Sequence, residues 1–158
     1  VVFLLGFTPG ASCVVKHQMW RNPFTRLVVT SAEYVKSQPT DEMLAGASAT
    51  LQDRQSVILF PEGTRTTPGK PFTFHRGAAS VAVRAANAVT PVFIRCTPTT
   101  LTKSEKWYQV PHRRVLITFA VGEDLELTRF QAMPSPPLAA RALNEHMVER
   151  FERELMPR

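Results

Sequence analysis

The feature of this sequence that most constrains its fold is a short apolar run that stops at a proline. The run is Val57-Ile58-Leu59-Phe60, and Pro61-Glu62-Gly63-Thr64-Arg65 follows it directly. A short apolar run closed by turn residues is typical of a buried strand. In open α/β sheets, ligands bind just beyond the carboxyl ends of the strands. The pattern therefore predicts that Glu62 and Arg65 lie at the ligand-binding edge of a parallel sheet.

The residues after the proline are suited to binding an anion such as a phosphate group. Arg65 can hold a phosphate through two parallel hydrogen bonds. Thr64 can donate a hydroxyl, and Gly63 allows backbone N–H groups to approach an anion. The alternative is that Glu62 and Arg65 form an ion pair with each other at the end of the strand. Such surface ion pairs are common and contribute little to stability.

Positive charge continues beyond this block. Lys70, His75 and Arg76 follow, and no acidic residue occurs between Arg65 and Arg76. A helix that begins near Gly77 would add the positive end of its dipole to the same region. The whole segment is therefore predicted to form a cationic pocket.

Length and composition favour one globular domain with anionic partners. The chain has 158 residues, of which 44% are hydrophobic and 20% charged, so it can bury a core without metal or disulfide support. Its net charge of +6 favours phosphates, nucleic acid or an anionic membrane face. The two cysteines, Cys13 and Cys96, are far apart and indicate reduced, buried thiols rather than a disulfide framework. No apolar run approaches the roughly 20 residues that span a bilayer.

The rest of the chain alternates between strand and helix patterns. Strands are predicted at residues 11–16, 27–30, 56–60, 89–96 and 114–121. Helices are predicted from the N-cap Thr40 to about residue 54, at 77–87 and at 138–155. Residues 122–127 have the composition of an acidic turn, and 134–137 that of a linker before the closing helix. Strand, helix and strand in succession form two βαβ units, so we expect an α/β fold with a mostly parallel central sheet and helices on its faces.

Four segments occur in the order found in the glycerophospholipid acyltransferases. Residues 60–65 resemble the family's FPEGTR block, and residues 74–78 (Phe-His-Arg-Gly-Ala) resemble its Phe-Lys-x-Gly-Ala segment. Residues 90–94 resemble its Val-Pro-Val strand, and residues 16–24 its Lys-x5-Asn-Pro-Phe stretch. The resemblance extends over residues 1–121, and the FPEGTR block is its most specific part. The chain is thereby identified as similar to the 1-acylglycerol-3-phosphate acyltransferases, with residues 1–158 as one acyltransferase domain and 134–158 as its linker and last helix.

This resemblance implies transfer of a fatty acyl group from an acyl thioester to the hydroxyl of a lysophospholipid such as lysophosphatidate. Coenzyme A or acyl carrier protein would carry the acyl group, and neither a further cofactor nor a metal is expected. Glu62 resembles the family's glutamate, which holds the arginine or an acceptor hydroxyl. The residues that the resemblance and the charge pattern assign to substrate binding are Phe60, Pro61, Glu62, Gly63, Thr64, Arg65, Lys70, His75, Arg76 and Gly77.

The chain departs from the family at the catalytic base, which is a histidine in a His-x4-Asp motif. Five residues after His17, His75, His112 and His146 stand Asn22, Ser80, Ile117 and Phe151. We therefore expect the motif upstream of Val1, in a longer protein, and no turnover by the chain alone. A second departure is that no arginine occurs between Leu27 and Asp53, where the family has one after its second strand. His112 and His146 are predicted to be solvated.

The same resemblance suggests an enzyme on the cytoplasmic face of a membrane. Trp20, Phe24, Trp107 and Tyr108, the last two near Lys103 and Lys106, suit a membrane interface, although ordinary half-buried aromatics would give the same pattern. The alternative function is a phosphate- or lipid-binding module that never had the base. A basic nucleic-acid binder is disfavoured because no nucleic-acid module motif and no basic stripe occur in the sequence.

Overall fold

The computed structural model describes residues 2–16, 21, 26–27, 29–30, 34–37, 40–53, 55–65, 69–100, 102, 105–106, 108–109 and 111–156. The helices are α1 (Val2–Phe7), α2 (Thr40–Gln52), α3 (Arg76–Ala85), α4 (Thr128–Gln131) and α5 (Pro136–Leu155). The strands are β1 (Ala11–Lys16), β2 (Val35–Ser37), β3 (Ser56–Ile58), β4 (Ala88–Val89), β5 (Val92–Thr97), β6 (Leu116–Val121) and β7 (Leu125–Glu126).

A parallel sheet of three strands carries the segment Pro61-Glu62-Gly63 just beyond one of its strands. Its order is β2-β1-β3, and both outer strands run parallel to β1. Helix α2 connects β2 to β3, and its buried Met43, Leu44 and Ala47 form a core cluster with Val35 and Val81. The predicted parallel sheet and the helix before β3 are therefore confirmed, but the strand before that helix is β2, and Thr40, predicted as its N-cap, is already helical.

The strand predicted at residues 27–30 is wrong. The described residues of this segment, Leu27, Val29 and Thr30, have helical backbone, and the strand lies later, at β2. The Thr30 hydroxyl donates to the carbonyl oxygen of Arg26 at 2.7 Å, a local bond that suits helical backbone. Val29 is fully buried with Cys13 and Val15. Because β-propensity largely reflects packing, a β-branched run can be held in a helix when its buried position provides that packing.

The second half of the chain forms an antiparallel ribbon rather than a second βαβ unit. Strand β5 pairs antiparallel with β6, and β4 pairs antiparallel with β7. In the pairings that the structure describes, the strands within residues 89–96 are antiparallel to their partners, so the prediction of a second parallel crossover is wrong. Part of the acidic turn predicted at 122–127 is strand β7.

A one-residue bulge explains why one predicted strand appears as two. Val92 is opposite Val121 and Val89 is opposite Leu125, so residues 122–124 oppose only Thr90 and Pro91. Pro91 has no N–H to give to the ladder, which is why proline in a strand is confined to edges and bulges. Its carbonyl oxygen accepts the N–H of Gly122 at 2.9 Å. The bulge thus lets the ribbon continue past the proline.

Helix α5 closes the main core. It packs along α3, and its buried Leu143 and Met147 join Phe74, Ala79 and Leu127 in the largest hydrophobic cluster. The apolar face predicted for the last helix is confirmed. The helix begins at Pro136, so half of the predicted linker at 134–137 is its first turn, where proline is well tolerated.

Three further features concern the cysteines, membrane-spanning helices and metal-binding groups. Both thiols are free; Cys13 is buried and Cys96 half-buried, and burial raises the pKa of the Cys13 thiol. Within the described ranges, no helix has the length and apolarity needed to cross a bilayer. The same residues hold no group of three or more His, Cys, Asp or Glu side chains that could bind a metal ion.

His146, predicted to be solvated, is half-buried on α5. Its ring lies 6.0 Å from that of Phe130, centroid to centroid. Burial lowers its pKa, and the charges of Arg129, Arg150 and Arg153 add to this effect while Glu149 opposes it. The neutral imidazole is therefore favoured in the folded protein.

This environment makes stability depend on pH through His146. Near and below pH ~6.5, the usual pKa of histidine, the unfolded chain binds more protons than the folded one, so the free energy of unfolding rises with pH until about that value. We expect His146→Gln to flatten this rise in urea denaturation between about pH 5 and pH 7.5. His112→Gln, at an exposed position, should keep it. An unchanged slope in His146→Gln would assign the dependence to other groups.

Candidate functional site

The site begins with a tight turn at the end of β3. The N–H of Gly63 donates to the carbonyl oxygen of Phe60 at 3.1 Å, which closes a β-turn with Pro61 second and Gly63 fourth. These are the positions where β-turns favour proline and glycine. Strand β3 therefore ends at Ile58, and Phe60 is exposed rather than buried in the strand. The N–H of Gly63 is thus used inside the turn.

The loop that follows the turn returns to it at the start of α3. The His75 N–H donates to the carbonyl oxygen of Pro61 at 2.8 Å. The imidazole also packs against Gly63, because a Cβ atom added at Gly63 would lie 2.7 Å from His75 Cδ2. Gly63 has φ of 62°, in the left-handed region that favours glycine. Backbone and ring together hold both ends of the loop in one place.

An open cavity of about 250 Å³ lies within this loop. Five of the residues predicted from the sequence line it, namely Glu62, Thr64, Arg65, Lys70 and His75. Arg65 and Lys70 are both exposed to solvent, so their charges are accessible from the cavity side. Of the basic residues predicted to form a pocket, Arg65, Lys70 and His75 therefore line one concave surface, with Glu62 as the acidic member of the lining.

The other residues predicted to bind substrate lie outside the lining of this cavity. Pro61 contributes its carbonyl oxygen to the loop closure, while Phe60, Arg76 and Gly77 are not among the residues that line the cavity. Gly77 instead faces α2, since a Cβ atom there would lie 3.0 Å from Met43 Cε. It permits close packing of α2 on α3, and its effect on the site is indirect.

Sequence reasoning missed an apolar wall of the cavity. Pro71, Phe72 and Thr73 complete the lining. The Phe72 ring lies 6.1 Å from Phe74 and 6.5 Å from Phe151, centroid to centroid, so it belongs to an aromatic cluster that reaches α5. The signal was present as the alternation Phe72-Thr73-Phe74, which indicates an extended segment with one apolar face.

A hydrogen bond from α5 supports the site, and the loop before β6 holds a carboxyl group whose pKa the charge of Arg65 helps to lower. Asn144 on α5 donates its Nδ2 to the carbonyl oxygen of Phe74 at 3.2 Å and fixes the segment before α3. In the loop before β6, the Thr102 N–H donates to Glu105 Oε2 at 2.7 Å. This bond, with the Thr102 hydroxyl and the charge of Arg65, lowers the pKa of the Glu105 carboxyl.

Several predicted features fall outside the part of the chain that the structure describes. They include most of the segment 16–24, with His17 and Trp20, and also Lys103 and Trp107. Residues 66–68, between Arg65 and Gly69 in the sequence, are also outside it.

The arrangement is suited to holding a mono- or dianionic oxyanion. Arg65 offers a planar donor fork, Lys70 a point charge and Thr64 a hydroxyl, and α3 begins beside them with its dipole. His75 is the N-cap residue of α3 and also lines the cavity. The Phe72 wall gives the same cavity an apolar side, so a ligand with a charged head and an apolar remainder fits it better than a free ion.

Comparisons with known proteins show what this chain is similar to. The family model described as Acyltransferase matches residues 3–95, more than half of the chain. A curated relative, the 1-acyl-sn-glycerol-3-phosphate acyltransferase of Borreliella burgdorferi, is 26% identical over 97 residues, which are 58% of this chain and 39% of the relative. The chain thus spans well under half of that protein's length.

A solved structure matches the fold over nearly the whole chain. It is the 1-acyl-sn-glycerophosphate (LPA) acyltransferase PlsC from Thermotoga maritima, with a TM-score of 0.64 and 22% identity over 98% of this chain and 61% of that one. The α/β fold predicted from the sequence is thereby confirmed. Because the family model includes β1 to β3, the turn and the start of α3, and matches more than half of the sequence, the chain belongs to the acyltransferase family.

Proposed function

We propose that the cavity beside the Phe60–Gly63 turn binds the phosphate headgroup of a lysophospholipid such as lysophosphatidate, for acyl transfer to its hydroxyl. The observation that carries this proposal is the convergence of Arg65, Lys70, Thr64 and His75 on one cavity with an apolar wall. The names of the curated relative and of the solved structure, both acyltransferases of lysophosphatidate type, support the same acceptor.

In this reaction the acceptor hydroxyl oxygen attacks the carbonyl carbon of an acyl thioester. A C–O ester bond forms, the C–S bond breaks, and the hydroxyl proton passes to a general base and then to the departing thiolate. Coenzyme A or acyl carrier protein is the proposed thiol carrier. The proposed base is a histidine of a His-x4-Asp pair upstream of Val1, whose aspartate would hold the imidazole in the productive tautomer.

The residues of this chain contribute by positioning. Arg65 and Lys70 hold the phosphate, which fixes the distance between the headgroup and the attacking hydroxyl. Glu62 accepts a hydrogen bond from either the Arg65 guanidinium or an acceptor hydroxyl. Phe72 excludes water from one side of the headgroup.

Location follows from the acceptor, which is a membrane lipid. The proposed working place is the cytoplasmic face of a membrane, where lysophospholipid and acyl thioester meet. The described residues offer basic and aromatic side chains for such a surface, among them Lys106 and Tyr108.

A comparison of two proteins tests the proposal. The chain of 158 residues should bind lysophosphatidate but transfer no acyl group. A longer form that includes the upstream segment, with a His-x4-Asp motif, should transfer an acyl group from a thioester to lysophosphatidate, and changing that histidine to alanine should abolish it. Measurable transfer by the shorter chain would show that the base lies elsewhere. Absence of the motif upstream, with retained lipid binding, would favour the non-catalytic binding module instead.

A further inference from the structure

Residues 71–75 form one side of the cavity beside the turn. They supply four of its eight lining residues, namely Pro71, Phe72, Thr73 and His75. All five residues are described by the structure, and none of them belongs to a helix or a strand. The course of this segment is therefore fixed by its contacts with other elements, because no regular pattern of backbone hydrogen bonds fixes it.

The peptide group between Phe74 and His75 is hydrogen-bonded at both of its ends. Its N–H, from His75, donates to the carbonyl oxygen of Pro61 in the turn at 2.8 Å. Its C=O, from Phe74, accepts a hydrogen bond from Nδ2 of Asn144 on α5 at 3.2 Å. Because a peptide group is planar and rigid, holding its C=O also orients its N–H. One peptide group thus joins α5 to the turn after β3, and hydrogen bonds in such a chain strengthen one another.

Helix α5 also holds this segment through aromatic rings. The Phe151 ring lies 5.1 Å from that of Phe74 and 6.5 Å from that of Phe72, centroid to centroid, and both pairs meet edge to face. Asn144 and Phe151 are seven residues apart, about two helical turns, so they lie on the same side of α5. Apolar contact is non-directional, so the rings fix where the segment lies but not how its peptide plane is turned. The hydrogen bond from Asn144 is directional and supplies that orientation.

Stability alone is a weak reason for an amide at position 144. The Oδ1 atom of Asn144 is buried and accepts no hydrogen bond from the residues that the structure describes. Such an acceptor is destabilising and offsets the gain from the Nδ2 bond. Turning the amide over would not help, because two oxygens would then face each other at Phe74 and neither can donate. What the amide supplies is a donor directed at the Phe74 carbonyl.

We propose that Asn144 is a positioning residue for phosphate binding in the cavity. By holding the Phe74 carbonyl, it sets the plane of the next peptide group, and this plane fixes His75 relative to the turn at Pro61. Asn144 is not among the residues that line the cavity, so it acts through this peptide group. The inference rests on the proposed function. It adds α5, which lies outside the part of the chain matched by the family model, to the elements that shape the headgroup site.

The first test reads the peptide group itself, by NMR on the free chain. Asn144→Leu keeps the approximate shape of the side chain and removes the donor. We expect the backbone amide proton of His75 to shift upfield and to exchange with solvent about fivefold faster, which corresponds to the loss of one ordinary hydrogen bond. Gln131→Met is the matched control, since Gln131 Nε2 donates to the carbonyl oxygen of Ala86 at 3.0 Å, beyond the other end of α3. It should leave the His75 amide unchanged.

The second test is isothermal titration with a short-chain lysophosphatidate. Asn144→Leu should bind it about fivefold more weakly, and Gln131→Met should bind it as the unmodified chain does. A merely structural role would lower the free energy of unfolding in urea and leave the affinity of the folded chain unchanged. On the unmodified chain, the lipid should shift the side-chain NH₂ resonances of Asn144 but not those of Gln131. This last measurement needs no variant to fold.

The outcomes separate this proposal from the function on which it rests. An unchanged His75 amide in Asn144→Leu, an unchanged affinity, or Asn144 resonances that do not respond to the lipid would each overturn the positioning role. Equal losses of affinity in Asn144→Leu and Gln131→Met would overturn it too, because any loosening of α3 would then have the same effect. If the unmodified chain does not bind lysophosphatidate, the proposed function fails instead, and the His75 amide, read without lipid, still decides whether Asn144 holds the peptide group.

Discussion

Arg65→Gln should weaken binding of lysophosphatidate to this chain by roughly fiftyfold, while the protein stays folded. Arg65 lies on the cavity formed after β3 and is solvent-exposed, so its removal leaves no uncompensated buried charge. A charge-assisted hydrogen-bond pair to a phosphate contributes about 2 to 3 kcal/mol, which corresponds to this loss of affinity. Isothermal titration with a short-chain lysophosphatidate below its micelle concentration measures the effect directly, without need of a catalytic base.

One variant separates the hydrogen-bonding geometry of the Arg65 guanidinium from its charge, and a second serves as a control. Arg65→Lys keeps the charge but loses the parallel donors, and we expect about a tenfold loss of affinity. Arg84→Gln removes an exposed arginine from α3 at a position outside the cavity lining, and it should leave binding unchanged. If Arg65→Gln binds as tightly as Arg84→Gln, then Arg65 serves only the local structure of the turn and the headgroup site lies elsewhere.

The turn and the charges that follow it could be predicted from the sequence because they depend on residues that are close together in the chain. Pro61 and Gly63 occupy positions where β-turns favour proline and glycine, and a short apolar run closed by such residues is typical of a strand. The charges of Arg65 and Lys70 follow within a few residues, so whichever way the loop bends they remain close together. Even there, the strand ended at Ile58, two residues earlier than its apolar composition indicated, because the carbonyl of Phe60 already belongs to the turn.

What sequence patterns did not predict depends on contacts between distant segments. The residues around Val29 have the β-branched composition of a strand, and the burial of Val29 with Cys13 and Val15, which accompanies the helical backbone, could not be predicted from that composition. The direction of β5 relative to its neighbour is decided by pairing with β6, more than twenty residues later. The charged sequence around His146 predicts a solvated histidine, and its half-buried position depends on Phe130 of α4, whose ring lies beside it. Periodicity describes one segment at a time and carries no information on these partners.

Gly63→Ala should lower the free energy of unfolding by about 2 kcal/mol and the melting temperature by roughly 6 °C. Gly63 has φ of 62°, where any side chain is disfavoured by about 1 kcal/mol. The added methyl group would also lie 2.7 Å from His75 Cδ2, well inside contact distance. The imidazole can avoid it only by turning away, which takes His75 out of the cavity lining. We therefore expect weaker lysophosphatidate binding as well as lower stability, measured by urea denaturation and by titration.

Gly69→Ala separates the two causes, because the chain offers a second glycine with nearly the same backbone. Gly69 has φ of 75°, and an added Cβ atom would meet nothing within 4 Å among the described residues. It should therefore show the backbone cost of about 1 kcal/mol and no loss of binding. Combining Gly63→Ala with His75→Ala should restore the part of the stability lost to the clash, so the double-mutant cycle should show coupling between the two positions. Equal effects of the two glycine variants, with no coupling to His75, would mean that the imidazole does not hold the turn against the start of α3.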